Sequence, residues 1–488
     1  MSLRFKERFK TYLISILIIT SLIQVGILWE YQNHGLPTSF LNLFFFMSHN
    51  SNPIDAAQKA RSDYFQPNSV VASEGLNTGS YRILAKNTDD YIKIWDSTKQ
   101  LMRSILTARN IEGDYSVISN KDNRWLDIIQ NIAVIVEFKK PIRRDFMSWL
   151  LNVSPEGSVP GGFSKILIAP YDDVNYNIMT VYLLDDKDSI YKYNIRVSGG
   201  EMSKDEWKAI IDGAESKGLK VLTSVSYLMG KASSAPYRKD MLISGEGRRD
   251  SILAIRSINS LPPATLKEDQ TLVSEAILGN EKSSYDTYDT GNGYEFRNLN
   301  NFYKLTFDGI LEYRYLPAVE ESKKLNVGKS FENAVRFIEG IKNQIPGIEL
   351  ALSDAIEDTA SQSWEFRFDY MVNGLPTAVQ TDNSASGRKL INAVVIKADE
   401  NRVTYCYWLL RSFEQAKEGK YSTSYADLFE SISKKAAETD SAYFVNDINY
   451  GYMLAPSVER VRLDPSWIIG ITDNNKNNKN IFIGMEPE

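Results

Sequence analysis

The stretch WEFRFDYMVNGLP, Trp364 to Pro376, decides the fold class. Trp364, Phe366, Phe368, Tyr370 and Val372 alternate with Glu365, Arg367, Asp369 and Met371, the period-2 pattern of a half-buried strand. It ends at the turn Asn373-Gly374-Leu375-Pro376, so the chain reverses there. Working outward, residues 390–397 and 403–411 predict a hairpin across Asp399-Glu400-Asn401, and 302–307 and 310–315 predict another across Asp308-Gly309. A further strand pair, 177–185 and 189–197, turns at Asp185-Asp186 and Asp188. Between such strands lie amphipathic helices. Tyr91, Trp95, Thr98, Met102 and Ile105 keep helical spacing behind a cap at Thr88 or Asp89. Ser203 and Glu206 form a capping box ahead of Trp207, Ile210, Ile211 and Ala214. A third helix is expected from Ser330, burying Phe331, Ala334, Val335, Ile338 and Ile341 and stopping before Pro346. A fourth is expected from Ser424, burying Tyr425, Leu428, Phe429 and Ile432. Strands joined by short turns with helices at irregular intervals define α+β domains with antiparallel sheets.

The N-terminus adds a different element. Thr11 to Trp29, TYLISILIITSLIQVGILW, carries no charge, and nineteen residues of helix span about 28 Å, close to the hydrocarbon thickness of a bilayer. Arg4, Lys6, Arg8 and Lys10 precede it and Glu30 follows, which orients residues 1–10 to the cytoplasm and the bulk outside. The apolar run is too long for a signal peptide and WEYQNHGLP has no small-residue cleavage pattern, so a retained anchor is expected over 11–31. The cluster Leu41 to Met47 is too short to cross; it either lies on the outer membrane surface or packs on the first domain. Thr20, Ser21 and Gln24 lie near the middle of the span, with Thr20 and Gln24 on one helix face, where polar groups await a partner helix.

The chain has 488 residues, too many for one core. The expected division is a membrane-proximal linker at 32–62, an N-terminal domain at 63–162, a middle α+β domain at 163–320 and a C-terminal domain at 324–488. The last two share a layout of one helix before three strands, which arises either by distant duplication or by chance.

Composition excludes several chemistries. The net charge of −6 is spread along the chain without a basic block, which argues against nucleic acid. The only histidines are His34 and His49, so no imidazole triad or His-rich zinc site can form beyond residue 49. Cys406 is the sole cysteine and sits in VTYCYWLL, the setting of a small core residue. Paired acids could cut glycans: Asp172-Asp173, Asp185-Asp186 with Asp188, and Glu320-Glu321. They lie in turns or at a domain boundary and are expected to be solvated. No catalytic constellation, metal site or cofactor is predicted. A membrane-tethered glycan hydrolase and a binding module for wall polymer or peptide remain alternatives.

Several segments resemble one family. They are ILWEY at the end of the anchor, QPNSVV at 66–71, FSKILI at 163–168, GYEFRNLNNFYKLTFDGILEYRYLP at 293–317, and INYGYMLAP followed by VRLDPSWIIGI near the end. Together they resemble the YycH family, accessory proteins of the YycG/YycF (WalK/WalR) two-component system of Gram-positive bacteria. The C-terminal domain also resembles YycI, in Gly374 and Pro376 after an aromatic strand and in Pro465 and Trp467. The departure is at the start, where NHGLPTSFLNLFFF is longer and more aromatic than the family's short polar link. The resemblance implies a non-enzymatic regulator beside a membrane sensor kinase and a YycI-like protein, acting through transmembrane-helix contacts.

Overall fold

In this computed structural model the described residues are 57–75, 80–86, 88–120, 123–197, 201–217, 219–229, 236–244, 252–260, 273–275, 277–316, 324–342, 347–379, 392–421, 425–437, 443–457, 459–473 and 478–485. The expected anchor at 11–31, with Thr20, Ser21 and Gln24, the cluster at 41–47 and both histidines lie outside them. No described helix is long and apolar enough to cross a membrane.

The first nine strands are β1 (Ser69–Glu74), β2 (Ser80–Ile83), β3 (Ser116–Ser119), β4 (Ile132–Arg143), β5 (Gly162–Ala169), β6 (Ile178–Asp185), β7 (Ser189–Arg196), β8 (Val221–Ser224) and β9 (Leu242–Ser244). They form one antiparallel sheet in the order β3-β7-β6-β5-β4-β1-β2-β8-β9. Its central strands read as unbroken apolar runs because both faces are covered. Val70, Ala72, Val134, Val136, Ile166 and Ile168 point to one core, and Val71, Ala133, Ile135, Leu167 and Ala169 to the other. Helices α1 (Asp89–Leu106), α2 (Arg124–Ile128), α3 (Arg144–Leu151) and α4 (Lys204–Ser216) lie among these strands in the chain. Leu101 and Met102 of α1, Phe146 of α3 and Trp207 of α4 join the first core, whereas Trp125 of α2 joins the second. The caps are those the sequence predicts: Thr88 accepts from the Tyr91 amide, and Ser203 and Glu206 bond reciprocally.

Past α5 (Val225–Met229), β10 (Ile252–Asn259) leads to β11 (Asp286–Asp289), β12 (Gly293–Arg297), β13 (Asn301–Thr306) and β14 (Ile310–Tyr315). After α6 (Val327–Lys342) come β15 (Glu349–Asp358), β16 (Ser363–Val372), β17 (Leu375–Val379), β18 (Val394–Ala398), β19 (Val403–Leu409) and β20 (Arg411–Tyr421). The chain closes with α7 (Tyr425–Ala437), β21 (Tyr443–Leu454), β22 (Val461–Leu463), β23 (Pro465–Asp473) and β24 (Asn478–Gly484).

Among the described residues, twelve of these strands make a second sheet, β11-β12-β13-β14-β19-β18-β16-β17-β21-β23-β24 with β15 on β16, antiparallel except for β17 with β21. A small third sheet, β20-β10-β22, stands beside it. Asn373 and Gly374 adopt positive φ, 53° and 76°, so the Asn-Gly turn joins β16 to β17 in the tight form that hairpins favour. Helix α6 begins at Val327, a turn earlier than expected, and buries Phe331, Ala334, Val335, Ile338 and Ile341 as predicted.

Pairing runs across both expected domain boundaries. β5, whose first residue is Gly162, pairs with β4 across the boundary expected at 162–163, and β14 pairs with β19 on either side of 320–324. The two stretches that share a layout also differ in pairing. β12, β13 and β14 form a simple meander, whereas β21 pairs with β23 and the intervening β22 goes to β10. The described residues from Ala57 onward form one compact unit.

Candidate functional site

Strand β4 begins as an apolar run and ends as EFKKPIR. Between Glu137 and Ile142 its register with β5 shifts, and Phe138–Pro141 leave the ladder. Pro141 fits there because it has no amide to donate. The bulge places Lys139 and Lys140 on the wall of a cleft between the two large sheets, opposite Asp354 on β15 and Asp447 on β21.

Charged groups cross this junction. Lys165 of β5 is buried and holds both Glu137 at 2.7 Å and Asp240 at 2.6 Å. Arg238 pairs with Asp240 at 3.1 Å. On the other side Lys139 meets Asp369 of β16 at 2.8 Å, and Asn392 donates to the same carboxylate. Burial alone would raise the Asp240 carboxyl, but Lys165 and Arg238 outweigh it and hold the pKa at about 2. Burial likewise works against the charge on Glu137, and Lys165 and Arg238 again bring it below the usual carboxylate range. Asp354 and Asp447 come out the other way. Burial pushes both above the usual range, against the pull of Lys140 and Arg367 on one and of Arg238 and Lys139 on the other.

The cleft encloses about 680 Å³ and is also lined by Tyr91, Trp364, Tyr450 and Trp467. That volume lies within the range of ligand sites, roughly 300–1,000 Å³.

The acids singled out in the sequence do other work. Asp185 is not solvated: it is 7% exposed, and its Oδ1 accepts from the amides of Lys187 and Ser189, closing the β6–β7 turn. Asp172 accepts from the Tyr182 hydroxyl at 2.7 Å and from Lys192 at 2.8 Å. Asp173 caps the Asn175 amide. Asp186 and Asp188 are exposed, and Glu320-Glu321 lies outside the described residues. Cys406 is fully buried with its thiol pKa raised by burial, as the sequence implied. No group of three or more metal-ligating side chains occurs among the described residues.

Sequence reasoning missed the charged junction. Asp369 falls on the polar side of the alternation in β16, yet it is 4% exposed because β15 flanks that strand and Lys139 reaches it from the other sheet. The available signal was Lys165, a lone charge inside the apolar run of FSKILI.

Two packed sheets, antiparallel but for the β17–β21 pair and joined through a charged cleft, with helices on the first sheet and α6 against the second, define an α+β class of fold. No protein-family model matches the sequence, and no curated protein aligns with it. The crystal structure of YycH from Bacillus subtilis does match: the TM-score is 0.53 at 13% identity, covering 86% of this chain and 96% of that one. The chain has a YycH-like fold.

Proposed function

We propose that this chain is a membrane-anchored, extracytoplasmic regulator of a sensor histidine kinase of the YycG (WalK) type, acting by protein contact rather than by chemistry. The observation that carries the reading is the extent of the likeness to YycH, which takes in 86% of this chain. The uncharged run Thr11–Trp29 behind a basic tail supports the anchor. The engagement of Asp172 and Asp185 in structural hydrogen bonds supports the absence of hydrolysis. Thr20, Ser21 and Gln24 are the residues through which the anchor would meet the kinase and a YycI-like protein.

The test begins with the full chain purified from membranes with lipids retained, and its partners identified. Recovery of a sensor kinase is expected. Replacing Thr20 and Gln24 with leucine should lower that recovery, about threefold to thirtyfold for interhelical bonds of ~0.6–2 kcal/mol, while Ile16→Leu leaves it unchanged. Recovery without any kinase would overturn the reading. Protease added to protoplasts should remove all but the extreme N-terminus; a released form beginning near residue 32 would overturn the anchor.

A further inference from the structure

We propose that the cleft between the two large sheets binds a small zwitterion, a molecule of amino-acid or dipeptide size. Its carboxylate would sit on Lys140 and its ammonium on Asp354 and Asp447. This goes beyond the regulatory reading, which assigns the cleft no occupant.

The starting point is the charge left over once the junction has formed its pairs. On the cleft wall Lys139 holds Asp369, Arg238 holds Asp240, and Glu137 is held by Lys165. Lys86, Lys140, Glu349, Asp354 and Asp447 also line the space and take no part in those pairs. Asp354 has Arg367 for an ion pair, but at 3.8 Å, and Asp447 accepts from the Asn449 side-chain amide at 2.6 Å. Lys140 acts through space on both of these acids and forms an ion pair with neither. Charges of both signs therefore face one another across a gap. They are also within reach of a solute: Lys140 and Glu349 are exposed, and Lys86, Asp354 and Asp447 are half-buried.

Size comes from the walls. Arg143 of β4 pairs with Glu357 of β15 at 2.6 Å, which ties the two walls together and closes that side to an extended chain. The remaining space of about 680 Å³ admits a compact molecule.

The charges then select its chemistry. A phosphate would meet three carboxylates, and a bare cation would meet two ammonium groups. A neutral molecule would strip water from all five charges and return only dipoles. A zwitterion brings a counter-charge of each sign. Burial pushes the Asp354 and Asp447 carboxyls above the usual range in spite of Lys140, so negative charge on this wall is under-compensated, and an ammonium relieves it.

The test uses the full chain in lipid nanodiscs, screened by thermal shift against the common amino acids and their glycyl dipeptides. A solute that binds only the folded chain raises its melting temperature, and at about 10 mM even a millimolar ligand should do so. The best compound, measured by calorimetry, should bind about tenfold or more tightly than its amide or its N-acetyl derivative, each of which lacks one charge. Lys140→Gln should leave the melting temperature of the free protein unchanged, because the side chain is exposed and outside the ion pairs. It should weaken the parent compound about tenfold yet bind the amide as wild type does. Asp354→Asn should weaken the parent compound and spare the N-acetyl derivative. The proposal is overturned if no compound raises the melting temperature, or if the amide or the N-acetyl derivative binds as tightly as the parent. It is equally overturned if Lys140→Gln and wild-type protein bind the parent alike. The derivatives test it on the wild-type chain, whatever the variants do. None of these results bears on recovery of the kinase, so this inference and the regulatory reading fail separately.

Discussion

Asp185 and Tyr370 are single residues on which several backbone groups depend. Asp185 Oδ1 accepts two amides, at 2.9 Å from Lys187 and 2.6 Å from Ser189. Asp185→Ala should therefore destabilise the protein by about 1–3 kcal/mol in urea unfolding, the cost of orphaned buried donors. Asp185→Asn keeps the oxygen and should recover most of the loss. The Tyr370 hydroxyl donates to the Leu409 carbonyl and accepts from the Trp408 indole and the Arg411 amide. Tyr370→Phe removes little volume but leaves two buried donors, so a loss of about 2–4 kcal/mol is expected, more than a methylene-sized cavity would give. Arg411 itself, 1% exposed, spends its guanidinium on the carbonyls of Asp308 and Ser457 and so ties the β13–β14 turn to the segment before β22. None of this was legible beforehand. Acids in turns are usually solvated, which is why Asp185 was expected to be, and a tyrosine in an alternating strand announces burial but not what its hydroxyl will meet.

Helix α6 sets the test at the next scale up. A methyl on Gly328 would lie 1.9 Å from Trp149 Cδ1, because the first turn of α6 sits against the indole. Trp149 is hemmed in further by Phe146 at 5.6 Å, Phe331 at 5.6 Å and the Arg61 guanidinium at 5.0 Å. Gly328→Ala improves intrinsic helix propensity by ~1 kcal/mol yet should lower stability by about 1–3 kcal/mol through overpacking. A rise in melting temperature would mean that Trp149 moves freely. Much at this scale could be read in advance. The Thr88 cap, the Ser203–Glu206 box and the Asn373-Gly374 and Asp308-Gly309 turns each depend on a few adjacent residues, and each is formed. The sequence was silent about which sheet a hairpin joins. β13–β14 is local, but its attachment to β19 matches residues about a hundred positions apart, and that choice rests on packing rather than on turn chemistry.

For the molecule as a whole, the charged junction between the sheets makes stability depend on pH with two opposing signs. Asp240, held at about 2, contributes stability that is complete above the ordinary carboxylate range near pH 4 and is lost as pH falls towards 2. Glu137 acts in the same sense. Asp447 has a raised pKa, so its contribution is greatest when it is protonated and declines as pH rises through its folded value. Asp447→Asn should accordingly raise the melting temperature at pH 7.5 and change it much less at pH 4. Equal shifts at both values would show that the carboxylate is not penalised by its surroundings. Wild-type protein should lose stability steeply below pH 4 as Asp240 and Glu137 protonate beside Lys165 and Arg238.

The leading segment at 57–64 carries a consequence in time. It is fastened to α6: Lys59 and Tyr64 both reach Glu339, at 2.8 and 2.5 Å, and Lys342 lies over the Tyr64 ring. Lys59 and its partner are 280 residues apart. At roughly 5–20 residues per second, a ribosome needs on the order of 15–60 s to supply the seat after making the segment that occupies it. The nine-stranded sheet, complete in sequence by Ser244, can assemble during that interval, while β10 must wait longer for β20 and β22. A nascent chain stalled before residue 327 would therefore carry a finished first sheet and an undocked lead, so the lead takes its final orientation only late in synthesis.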